Sequence, residues 1–107
     1  MQIERIQDDT ATILLIAGRL DSRTADTLST CVNEAISHAP VQLILDLGGV
    51  DYVSSAGLQV LIRSAKAVRG IQTKLALCAL QSNIMEMIEI SGLTNIFSIY
   101  RDRSQAI

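Results

Sequence analysis

The sequence predicts an α/β domain built on a mainly parallel β-sheet, and three observations carry that prediction. Strand-like and helix-like runs alternate along most of the 107 residues, the order expected when helices link parallel strands. The run VQLILDL, residues 41–47, is apolar almost without alternation, as in a strand covered on both faces. The first two strand-like runs are parted only by the acidic stretch DDT, a spacing that makes them a hairpin at one edge of the sheet. The expectation is one domain over residues 1–107, with an N-terminal hairpin and about three helices packed on the sheet.

Each element has its own signal. IERIQ is the first strand and ATILLIAG the second, whose continuous apolar run marks it as the more buried. A helix begins within RLDSRTADTLSTCVNEAISHAP, with Asp21 or Ser22 available to cap its free N–H groups. Ala25, Leu28, Val32, Ala35 and Ile36 share one of its faces, and Pro40 stops it. The third strand runs from Val41 to Leu47, where GGV breaks it. The next helix follows YVSSAGLQVL, with Leu58, Leu61, Ile62, Ala65 and Val68 on its apolar side and Gln59, Arg63 and Lys66 toward water. Gly70 ends it, TKLALCAL makes a fourth strand, QSNIMEMIEISG makes a third helix stopped at Gly92, and IFSIY is the last strand. Met85 and Met87 suit core or groove filling.

Composition removes several classes of function. With a net charge of −2 and only Phe97, Tyr52 and Tyr100 as stacking surfaces, the chain lacks the basic stripe of a nucleic-acid groove. MQIERIQDD has neither a basic leader nor an apolar core, and no apolar run approaches the roughly 18 residues of a membrane span. A soluble, cytoplasmic chain with no membrane insertion is expected. Cys31 and Cys78 both sit in apolar patterns, where a free thiol behaves as a small buried hydrophobe. With His38 the single histidine, no zinc spacing exists, and no metal or cofactor is expected.

In such sheets, ligands and partners meet the loops that leave the carboxyl ends of the strands. Three segments project there: GRLD, DLGGVDYVSSAG and CALQSN. The paired Ser54 and Ser55 therefore stand on the rim where function is expected, and three readings fit them. Either serine can cap the following helix, worth about 1 kcal/mol. A nucleophile elbow needs G-x-S-x-G and a histidine base, whereas VSSAG opens on valine and His38 is expected at the opposite rim. No catalytic residue is assigned on that ground. Third, a phosphate on a first-turn serine sits at the positive end of a helix dipole, so the fold tolerates it and its effect falls on binding.

The run LILDLGGVDYVSSAGLQVL is similar to the central signature of STAS-domain anti-sigma factor antagonists, also called anti-anti-sigma factors. The matching features are a strand, D-L-x-x-V, an aromatic, a small polar pair, glycine and leucine. GRLD upstream and ISGLTNIF downstream match two further stretches in order, so the resemblance runs from Ile3 to about Tyr100. It implies that Ser55 is a phosphoacceptor, with Ser54 the alternative, that Gly57 is the following glycine, and that Asp21 is the aspartate of the neighbouring loop. Asp46 and Val50 match the strand-end positions that frame the site, and Asp21, Ser54, Ala56, Gly57 and Leu58 form the implied partner-binding set. The implied role is a non-enzymatic, phosphorylation-controlled partner switch in transcription regulation. Its unphosphorylated form binds an anti-sigma factor that is also a serine kinase, releasing a sigma factor, and a protein phosphatase acting on phosphoserine resets it. This chain departs from a frequent family pattern at Ser54 (an aspartate there), Ala56 (a second serine) and Gly48 (a serine). The same domain type also serves as a scaffold or regulatory subunit of transport and stress-sensing complexes, which is the alternative.

Overall fold

The computed structural model describes residues 1–7 and 9–106. Strands β1 (Gln2–Gln7) and β2 (Ala11–Leu20) form the expected antiparallel hairpin, with Ile3 opposite Ile16 and Arg5 opposite Leu14. Strands β3 (Gln42–Val53), β4 (Lys74–Cys78) and β5 (Ser98–Tyr100) then add in sequence order, each parallel to its predecessor. The crossovers carry α1 (Ala25–Ser37), α2 (Ser55–Ala67, continued by a 3-10 turn over Val68–Gly70) and α3 (Ser82–Ile90).

Successive right-handed crossovers between sequence neighbours put their helices on one face of the sheet. Leu28 and Val32 of α1, Val60 and Leu61 of α2, and Ile84 and Ile88 of α3 accordingly close one core over Leu14, Leu43, Leu45 and Leu77. On the opposite face, Ile13, Ile44, Ala76 and Cys78 are closed by Ala106 of a short fourth helix, α4 (Arg103–Ala106). Ile44 is fully buried there while Leu43 and Leu45 are fully buried in the main core. Burial on both faces is the reason 42–47 shows no alternation.

Helix α4 lies beyond the three helices anticipated, because RDRSQA carries no apolar period. Tertiary bonds hold it instead: Arg103 Nε lies 3.4 Å from an Asp46 carboxylate oxygen, and the Gln42 side-chain amide donates to the Ala106 carbonyl. Strand β3 also departs from expectation, since Gly48 and Gly49 do not break it and it runs on to Val53. Helix α1 starts later than an Asp21 or Ser22 cap requires. The Asp21 carbonyl accepts the N–H groups of Thr24 at 3.1 Å and Ala25 at 2.9 Å, and its carboxylate accepts the Arg23 N–H at 2.9 Å. These bonds build a turn, so Asp21 closes the entry loop and Thr24 takes the N-cap position without a side-chain cap bond. In α2 the buried face is Gly57, Val60, Leu61, Ser64 and Ala65, with Leu58 and Ile62 only half-buried. Ser64 can face the core because its hydroxyl donates to the Val60 carbonyl at 2.7 Å.

Candidate functional site

The site is built from the end of β3. Leu43, Leu45 and Leu47 point into the main core at the strand period of two, but the next core residues are Val50 and Val53, at intervals of three. Each longer interval contains a bulge. The β2–β3 register shifts between Leu15 and Ala17 and again between Gly18 and Arg19, leaving Arg19 opposite Tyr52 and Leu20 opposite Val53. Such bulges turn a strand and re-aim its side chains. Gly49 permits the first one, because a Cβ there would lie 2.7 Å from the Cβ of Ala17. The Asp46 carboxylate braces the same turn by accepting the Gly48 N–H at 2.9 Å.

The strand then passes directly into α2. The Ser54 N–H donates to the Leu20 carbonyl at 2.9 Å, tying the helix start to β2. Ser54 is the N-cap: its backbone is extended and its hydroxyl accepts the Gly57 N–H at 3.3 Å. Ser55 is the first helical residue, exposed, and its hydroxyl has no hydrogen-bond partner among the described residues. The two serines, alike in sequence, thus differ in place: Ser54 is half-buried and engaged, Ser55 open and free. Gly57 is buried, and a Cβ on it would come within 2.5 Å of the Leu20 carbonyl oxygen. Of the implied contact set, Asp21, Ser54, Ala56 and Leu58 keep partial exposure, whereas Gly57 contributes the closeness of helix to strand.

Two groups of contacts that sequence reasoning did not anticipate complete the rim. Arg19 lies with its guanidinium carbon 4.0 Å from the centroid of the Tyr52 ring and its Nε 3.6 Å from an Asp21 carboxylate oxygen. The backbone N–H of Arg23 lowers the Asp21 pKa below the ordinary carboxylate range, with Thr24 and Arg19 acting in the same direction against some desolvation. On the other side, Gln81 donates its amide to the Gly48 carbonyl and Asn83 to the Asp51 carbonyl, both at 3.0 Å, fastening the start of α3 to the bulged strand. The contacts that join Arg19 to Tyr52, Gln81 to Gly48 and Asn83 to Asp51 link residues far apart in sequence, so no local pattern announces them.

Chemically, the rim presents the exposed Ser55 hydroxyl at a helix N-terminus, with hydrogen-bonded loops on both sides. His38 is the C-cap of α1, exposed, before β3 begins and so at the other end of the sheet. Among the described residues no group of His, Cys, Asp and Glu is arranged to hold a metal ion, and no helix is long and apolar enough to cross a membrane.

A mainly parallel sheet thus carries three helices on one face, and its bulged central strand delivers Ser54 and Ser55 to the start of α2. The family model for the STAS domain matches residues 2–106, and the chain belongs to that family. It is 34% identical over 106 residues to BtrV of Bordetella bronchiseptica, covering 99% of this chain and 91% of that protein, and 31% identical over 100 residues to an anti-sigma-B factor antagonist of Listeria monocytogenes, covering 92% of this chain and 88% of that protein. The crystal structure of an anti-sigma factor antagonist from Mycobacterium paratuberculosis superposes with a TM-score of 0.89 at 21% identity, covering 98% of this chain and 89% of that one. The Bacillus cell fate determinant SpoIIAA in its phosphorylated form has the same fold, with a TM-score of 0.75 at 13% identity, covering 98% of this chain and 96% of that one.

Proposed function

We propose that this STAS domain is a phosphorylation-controlled partner switch with Ser55 as the acceptor. The unmodified chain binds an anti-sigma factor and so releases a sigma factor. The anti-sigma factor, acting as a serine kinase, phosphorylates Ser55 and ends the interaction; a phosphoserine phosphatase restores it. One observation carries the choice of residue: the Ser55 hydroxyl is exposed and unengaged, while that of Ser54 is occupied in capping α2. The chain acts by binding and has no turnover of its own in this reading.

The energetics support a switch that leaves the fold intact. A phosphate on the first helical residue adds about −1.5 to −2 charges at the positive end of α2, whose first turn holds no acidic residue. That contact favours the folded state by about 0.3–2 kcal/mol. A partner covering the rim must instead desolvate the dianion, and about 3 kcal/mol of uncompensated cost lowers affinity roughly 100-fold. SpoIIAA, with the same fold, has a phosphorylated form, which supports the reading.

The test uses Ser55→Ala as bait to isolate the cognate anti-sigma factor, followed by incubation of both proteins with ATP and phosphosite mapping by mass spectrometry. Ser55→Ala should bind at near-wild-type strength and remain unmodified. Ser55→Asp should bind at least about tenfold more weakly with its thermal midpoint nearly unchanged. Phosphate on Ser54 would keep the mechanism and move the residue. Absence of modification at both serines, with Ser55→Asp binding like wild type, would leave the constitutive scaffold as the function.

A further inference from the structure

Arg19 is held in place by three elements of the rim. Its guanidinium face lies on the Tyr52 ring at 4.0 Å, and its Nε edge meets Asp21 at 3.6 Å. Its own carbonyl accepts the Thr24 hydroxyl at 2.7 Å, which fastens the backbone beneath it. Asp21 is in turn fixed by the Arg23 N–H at 2.9 Å and by the Thr24 hydroxyl, which accepts the Asp21 N–H at 3.0 Å. The second bulge of β3 is what sets Tyr52 opposite Arg19. Even so, the Arg19 side chain is 61% exposed, which leaves part of its guanidinium open to solvent.

An arginine so placed is braced on its face and one edge while its open edge meets solvent. Two parallel N–H groups on the open edge match a carboxylate bidentately. The ring beneath, with Tyr52 40% exposed, provides an apolar platform that sheds water when covered. Buried arginine and tyrosine anchors dominate protein interfaces, and prior ordering of the side chain reduces the entropy lost on binding. The cluster also adjoins the proposed acceptor, since Leu20, next to Arg19, accepts the Ser54 N–H.

We propose that Arg19, braced between Tyr52 and Asp21, is a specificity anchor that receives a carboxylate of the anti-sigma factor. The inference rests on the partner-switch reading and adds the charge sign of the partner's contact residue. A partner carrying lysine or arginine at that point is rejected by like charge, which gives the rim a means of choosing among anti-sigma factors.

The experiment is calorimetry of the unphosphorylated full chain with the purified anti-sigma factor recovered with Ser55→Ala, at low and high salt. Arg19→Ala should weaken binding about tenfold and Arg19→Glu about 100-fold, with Arg19→Lys between wild type and Ala because charge remains and the fork is lost. Tyr52→Phe should bind as wild type, since the ring face is kept, while Tyr52→Ala should resemble Arg19→Ala. Replacement of the matching Asp or Glu of the anti-sigma factor by Lys should restore binding to Arg19→Glu. Circular dichroism of each variant verifies the fold, which an exposed side chain should not perturb. Wild-type affinity for Arg19→Glu, with binding by the wild-type chain intact, overturns this proposal alone. Failure of the wild-type chain to bind any anti-sigma factor overturns the partner-switch reading on which it rests.

Discussion

Replacing Gly57 by alanine tests whether the helix-to-strand approach at the site is obligatory. A Cβ at this position would lie 2.5 Å from the Leu20 carbonyl oxygen, 2.6 Å from Leu20 Cγ and 3.0 Å from Leu20 C. Neither partner can yield easily: Leu20 is fully buried, and its carbonyl holds the Ser54 N–H at 2.9 Å. The start of α2 must therefore lift, at an overpacking cost of about 1–3 kcal/mol. Lifting also strains the Ser54–Gly57 cap bond, worth about 1 kcal/mol. Helix propensity acts the other way, favouring alanine over glycine by up to about 1 kcal/mol. The net expectation is a loss of about 1–3 kcal/mol, or roughly 5–15 °C in Tm for a domain of this size. Thermal and urea unfolding followed by circular dichroism measure it, with Gly70→Ala as a control, because nothing lies within 4 Å of a Cβ there. The sign is decisive. Propensity alone makes Gly57→Ala stabilising, so a variant as stable as wild type or more so refutes the close-approach argument.

Ser54→Ala, by removing the Gly57 cap acceptor, should cost about 1 kcal/mol in urea unfolding, whereas Ser55→Ala should stay within about 0.5 kcal/mol; equal losses would contradict the division of labour between them. In thiol titration of the native chain, half-buried Cys31 should react and Cys78 should not, because burial, helped by the Asp46 carboxylate, pushes the Cys78 thiol up to about 11. Two equivalents labelled without denaturant would contradict that placement. Thr12 carries a buried hydroxyl with no hydrogen-bond partner among the described residues, so Thr12→Val should raise stability by about 1 kcal/mol; a fall in the unfolding midpoint would mean that the hydroxyl is satisfied in solution.

The central strand shows how far the sequence could be read. Its mainly apolar run from 41 to 47 has the composition of a strand buried on both sides, and Leu43, Ile44 and Leu45 are each fully buried. The same logic failed one residue later, at Gly48 and Gly49, which look like a break. Period two persists only in an unbulged strand, and here the core positions Leu47, Val50 and Val53 are three apart. The entry to α1 failed for a related reason, since Asp21 has the chemistry of a helix cap and spends it on the Arg23 N–H instead.

By itself the sequence determined the order of strands and helices, the hairpin edge and parallel sheet, and the position of Ser54 and Ser55 where a strand yields to a helix. Those features follow from composition and period, which act within one segment of chain and so remain visible in a linear string. Only the tertiary structure decided that Ser54 is engaged and Ser55 free, that Gly57 lies against Leu20, and that Arg19 rests between Tyr52 and Asp21. The approach of Gly57 to Leu20 and the stacking of Arg19 on Tyr52 depend on where β2 meets β3 after two bulges, and a one-residue shift in that pairing would place different side chains at the rim.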